Sequence, residues 1–71
     1  MTLGTYLQRN PTLNNFYLQS GQQFVSVGDS PGDNMRVDEV KQRWPHFKIS
    51  EIEQPPEGET MLTLHVRPFG T

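Results

Sequence analysis

Residues 46–68 read HFKISEIEQPPEGETMLTLHVRP, and the way this stretch alternates decides the fold. Leu62, Leu64 and Val66 occupy every second position, the period of a strand with one face buried. On the preceding arm Phe47 and Ile49 keep that period, but the next apolar residue, Ile52, is out of phase. One extra residue near Ser50 and Glu51, a β-bulge, brings it back. The hairpin so drawn faces Ile52 with Leu62, Ile49 with Leu64 and Phe47 with Val66. The loop PPEGE at residues 55–59 supplies the turn.

Moving towards the N-terminus, residues 34–44 (NMRVDEVKQRW) place Met35, Val37, Val40 and Trp44 on one helical face. Asp38 and Glu39 lie near the start of this helix and Lys41 and Arg43 near its end, as the helix dipole favours. Pro45 stops it. The connector GDSPGDN at residues 28–34 is rich in turn formers, with Asp33 or Asn34 as the expected N-cap. Before it, residues 14–29 (NNFYLQSGQQFVSVGD) form a first hairpin around Gly21-Gln22, the two-residue turn that takes glycine first. Leu18 then faces Val25 and Phe16 faces Val27, while Tyr17, Gln19, Phe24 and Ser26 point the other way. At residues 2–10 (TLGTYLQRN), Leu3, Tyr6 and Leu7 have helical spacing and Thr2 can cap. Pro11 ends this helix near Arg9.

The four residues ahead of each hairpin, QRNP at 8–11 and QRWP at 42–45, stand 34 positions apart. As text, such a match lies close to chance. Its weight comes from position, because each marks the stop between a short amphipathic helix and the hairpin it covers. The chain is therefore expected to be a small α+β two-layer sandwich of order α-β-β-α-β-β, compatible with a duplicated αββ unit. Its sheet is expected to be four-stranded and mainly antiparallel, with two short helices on one face. It reads as a single domain over 1–71, divided into units 1–28 and 35–71 by the connector 29–34. The expected core comprises Phe16, Leu18, Val25, Val27, Ile49, Ile52, Leu62, Leu64 and Val66 from the strands. Leu3, Leu7, Val37, Val40 and Trp44 complete it from the helices.

Composition bounds what such a domain can do. The 71 residues are 32% hydrophobic, with no alanine and no cysteine. Leu, Ile, Val and Phe number 17, just above the level at which disorder becomes the default, so the stability margin should be thin unless the chain dimerises. Disulfides and thiolate metal sites are excluded. The N-terminus has neither the basic start nor the apolar run of a signal peptide, and no stretch approaches a membrane span, so a cytoplasmic location is expected. Net charge is −2 with a pI near 5.5, which counts against a duplex-binding domain.

The open face of the sheet would show Tyr17, Phe24, Met61, Thr63, His65 and Arg67, with Lys48, Glu51 and Glu53 beside them. It serves either as a binding platform or as a solvated second face with two aromatics paired across strands. Lys48, His65 and Arg67, near Arg43 and His46, gather at one end of the second hairpin. Such a basic end contacts a phosphate or an acidic partner, or is wet cross-strand pairing. Trp44 sits in phase with Val37 and Val40, which points to a core edge; exposed between Arg43 and His46 it would be an anchor. His46 and His65 are not neighbours in this register. No cysteine or well-spaced carboxylate completes a site with them, so no metal centre is expected. No Ser-His-acid constellation converges, and residues 29–34 lack the ligand pattern of a calcium loop.

The expected function is a small non-catalytic interaction module that binds a protein partner or associates with itself. The alternative is a single-stranded nucleic-acid binder working through the open sheet face. The candidate binding residues are Tyr17, Phe24, Arg43, Trp44, His46, Lys48, His65 and Arg67, with no catalytic residue, metal, cofactor or membrane contact.

Overall fold

A computed structural model describes residues 1–67. The elements are α1 (Leu3–Arg9), β1 (Phe16–Ser20), β2 (Gln23–Val27), α2 (Val37–Arg43), β3 (Lys48–Glu53) and β4 (Thr63–Arg67). The four strands form one sheet in the order β2-β1-β4-β3. Both hairpins are antiparallel, and they meet along a parallel seam between β1 and β4. Helices and sheet enclose one core: Leu3 and Leu7 from α1, Val40 from α2, and Phe16, Leu18, Val27, Leu64 and Val66 from the sheet. This is the two-layer α+β arrangement that the alternation implies. The two αββ units do not pack as mirror partners, since the seam joins the first strand of one to the second strand of the other.

Both helices are two-turn elements held by their ends and by packing, since seven residues cannot sustain a helix alone in water. Thr2 caps α1, its side chain accepting from the Thr5 amide at 3.3 Å. Asn10 closes the same helix, its Nδ2 donating to the Tyr6 carbonyl at 2.8 Å. In α2 the equivalent position is Trp44, whose amide donates to the Val40 carbonyl while its ring packs against the core. The letter that differs between QRNP and QRWP thus separates a polar cap from an apolar one. The start of α2 departs from expectation. Its N-cap is Arg36, with no side-chain cap bond, and neither Asp33 nor Asn34 caps it. Asp33 accepts from the Ser30 amide within the turn, and Asn34 accepts from the Ser26 amide of β2. Met35 lies outside the helix and bridges Val27.

In the first hairpin the register is as the sequence predicts, with Phe16 opposite Val27 and Leu18 opposite Val25. Gly21 has φ +60, and among the described residues none other than glycine is left-handed, which fits a turn that needs positive φ at its first centre only. The second hairpin carries the expected bulge at Ser50, between Ile49 and Glu51. Its register differs: Ile49 faces Val66 and Ile52 faces Leu64. The strands are slipped by two residues from the arrangement drawn above, so every side chain keeps its face. Leu62 does not pair with β3; its carbonyl accepts from the Tyr17 amide at the parallel seam. Ile52 is on the inner face of an edge strand and stays 38% exposed, so it is not a core residue.

The bulge gives a direct expectation. Deleting Ser50 leaves Ile49, Glu51, Ile52 and Glu53 alternating without a break. The shortened protein should therefore fold with stability within about 1 kcal/mol of the parent, the lost Ser50 hydroxyl bond to the His65 carbonyl being the main cost. An unfolded deletion variant by circular dichroism would refute this reading of the strand.

Where α1 meets the end of α2, Gly4 donates its amide to the Pro45 carbonyl at 2.9 Å, and Leu3 donates to the Phe47 carbonyl at 2.7 Å. A Cβ on Gly4 would stand 3.0 Å from both the Cβ and the carbonyl oxygen of Pro45. Proline has little room to give. Gly4→Ala should lower stability by about 1 kcal/mol in urea titration, although alanine is the better helix former.

Candidate interaction surface on the open sheet face

Among the described residues, the helices cover one face of the sheet and none lies on the other. Across that other face run Phe24 and Ser26 of β2, Tyr17 and Gln19 of β1, Thr63, His65 and Arg67 of β4, and Lys48, Glu51 and Glu53 of β3. Tyr17 and Phe24 lie diagonally across the β1–β2 ladder, their ring centroids 4.9 Å apart and their planes tilted by 33°. Such a pair contributes about 0.5–1.5 kcal/mol beyond simple burial. Phe24 nevertheless remains 56% exposed, and Tyr17 is half-buried.

The charged half of the face is organised differently from the sequence reading. His65 faces Glu51, not Lys48, and Lys48 faces Arg67. His65 Nε2 is 2.9 Å from Glu53 Oε1 and 3.7 Å from Glu51 Oε2. The expected cluster of Lys48, His65 and Arg67 is therefore divided: Lys48 and Arg67 form a small basic end, while the histidine belongs to the acidic pair. The cause is the two-residue slip. It preserves faces, and so the core pattern, while changing every cross-strand neighbour. The same slip overturns the expectation that no carboxylates are spaced to join His65, for one ligand-capable atom from each of Glu51, Glu53 and His65 lies within 4.8 Å of the others.

The remaining candidates lie away from this face. Trp44 is half-buried against the core, stacked on Phe47 with centroids 5.5 Å apart and planes 15° from parallel. His46 meets Phe47 edge-on at 5.4 Å. Arg43 is exposed in the last turn of α2. Trp44 and Phe47 also line a cleft of about 270 Å³ with Leu18, Val25 and Val66, edged by Ser20 and Gln23. That is below the usual range of small-molecule pockets, about 300–1,000 Å³. The eight candidates thus split into an open-face group (Tyr17, Phe24, Lys48, His65, Arg67) and a helix-side group (Arg43, Trp44, His46).

The sheet edges are partly closed. Residues 34 and 35 hydrogen-bond to Ser26 and Gly28 at the outer side of β2, and residues 1–3 bond to Phe47 and Ile49 at the outer side of β3. These short covers occupy edge groups that would otherwise recruit another strand. No helix among the described residues is long and apolar enough to cross a membrane. Comparison with known protein families, curated proteins and solved structures finds no match to this chain, so its functional reading rests on the geometry of its own surface.

Proposed function

We propose that this chain is a small non-catalytic interaction module of the cytoplasm that receives a protein partner, or a second copy of itself, on the open face of its sheet. The observation that carries this is Phe24, more than half exposed beside Tyr17 on a face that no helix of the described residues covers. A large aromatic packed against its neighbour and still accessible is the kind of residue that anchors protein interfaces. The partly closed edges favour side-chain docking on the face over strand addition.

Electrostatics bear on the alternative of single-stranded nucleic acid. Aromatics on a sheet can stack on bases, and Lys48 and Arg67 can meet phosphates. However, Glu51 and Glu53 share that face and take His65 out of the basic set. The test is affinity capture from extract of the source cells, with the intact protein and a Tyr17→Ser/Phe24→Ser variant as matched baits, beside sedimentation of both. The expected outcome is a protein, or a dimer, present with the first and absent with the second. Equal capture and strict monomers in both would contradict it. Oligonucleotide retention at low salt, lost in the variant, would replace it with the nucleic-acid reading.

A further inference from the structure

We propose that Glu51, Glu53 and His65 form a binding site for a borderline divalent transition ion of the Zn²⁺ class on the open sheet face. The site goes beyond the interaction reading and does not depend on it. Three potential donors converge there: imidazole Nε2 from β4 and one carboxylate oxygen each from two residues of β3, all within 4.8 Å of one another. Zinc holds nitrogen and oxygen ligands at about 2.0–2.2 Å, which sets neighbouring tetrahedral ligands about 3.3–3.5 Å apart. The two N–O separations, 2.9 and 3.7 Å, straddle that value, while the two carboxylate oxygens, within 4.8 Å of each other, close on the ion by rotation of exposed side chains.

Charge points the same way. Two carboxylates share one imidazole, and the only ion-pair partner of either glutamate among the described residues is His65 itself. A divalent cation matches the two carboxylates in charge. One imidazole with two carboxylates suits zinc better than magnesium or calcium, which take oxygen ligands alone.

The backbone supplies a further observation. With Ile49 facing inward, unbroken alternation would turn Glu51 and Glu53 inward and Ile52 outward; the bulge at Ser50 brings both glutamates to the side of His65. The bulge thereby keeps both carboxylates out of the core and turns Ile52, 38% exposed, inward. Ser50 also donates its hydroxyl to the His65 carbonyl at 3.1 Å, tying the bulge to the residue that presents the imidazole. Three protein ligands leave a fourth position to water.

The test is calorimetric titration of the intact chain with Zn²⁺ at neutral pH, alongside His65→Gln, Glu53→Gln and His46→Gln. The expected result is one ion per chain, with affinity at least about tenfold weaker in the first two variants and unchanged in the third. Backbone amide signals of residues 51, 53 and 65 should shift on addition of zinc and stay in place with Mg²⁺. Absence of saturable binding overturns the proposal, as does full affinity in His65→Gln or loss confined to His46→Gln. Should His65→Gln fail to fold, Glu53→Gln and the amide shifts of the intact chain decide the question.

Discussion

Phe16→Ala is expected to leave the protein largely unfolded at room temperature. Phe16 is fully buried and heads the largest enclosed side chains of the core. It sits on β1, an inner strand paired on one side with β2 and on the other with β4, so its surroundings cannot collapse easily into the space it leaves. Truncating a buried phenylalanine costs about 3–5 kcal/mol. A chain of 71 residues has about 4–10 kcal/mol in total, and so small a core lies towards the lower end. Urea titration followed by circular dichroism should show most of the cooperative transition gone. Ile52→Ala is the control. On an edge strand and 38% exposed, Ile52 should cost under about 1 kcal/mol. Equal losses at the two positions would mean that the layer order is wrong.

The second large effect concerns binding. Replacing Tyr17 and Phe24 together by serine should weaken association with the partner by about thirtyfold or more, the scale of losing an aromatic anchor. Folding should suffer far less, by about 1 kcal/mol, because the pair lies outside the core and loses mainly its cross-strand contact. The contrast between the two losses is what separates an anchor from a structural pair. A variant that binds as tightly as the parent would remove the pair from the interface. A variant whose stability falls as far as its affinity would show that the aromatics serve the fold instead.

Much of the fold is legible in the sequence because different residues constrain it in different ways. Pro11 and Pro45 set both helix ends, at Arg9 and Arg43. Gly21-Gln22 leaves a two-residue turn no freedom of register, so Phe16 and Leu18 meet Val27 and Val25 as expected. In the second hairpin the loop between Glu53 and Thr63 is long enough to absorb a two-residue slip. Alternation cannot detect a slip of two, since it returns each side chain to the same face. The inner face is therefore legible for Leu64 and Val66, while the neighbours of His65 are not.

That one slip accounts for the largest change in the candidate site. It moves His65 from Lys48 to Glu51 and Glu53 and so brings together three ligand-capable side chains that spacing alone hides. Tyr17 and Phe24 are legible, because they follow from the well-determined first hairpin. The start of α2 is not. Asp33 and Asn34 have the chemistry of helix caps, but Asn34 bonds across to Ser26 and closes part of the β2 edge. Local propensity names the residue types correctly and misses the partner, because the alternative bond is made eight residues away.

On the proposed reading, the uncovered sheet face is where this molecule meets its partner. A photoreactive phenylalanine analogue placed at Phe24, and in a separate variant at exposed Gln8 on α1, would test it most directly in the source cells. The predicted result is a discrete protein adduct from position 24 and none from position 8. An adduct from position 8 with none from position 24 would contradict it.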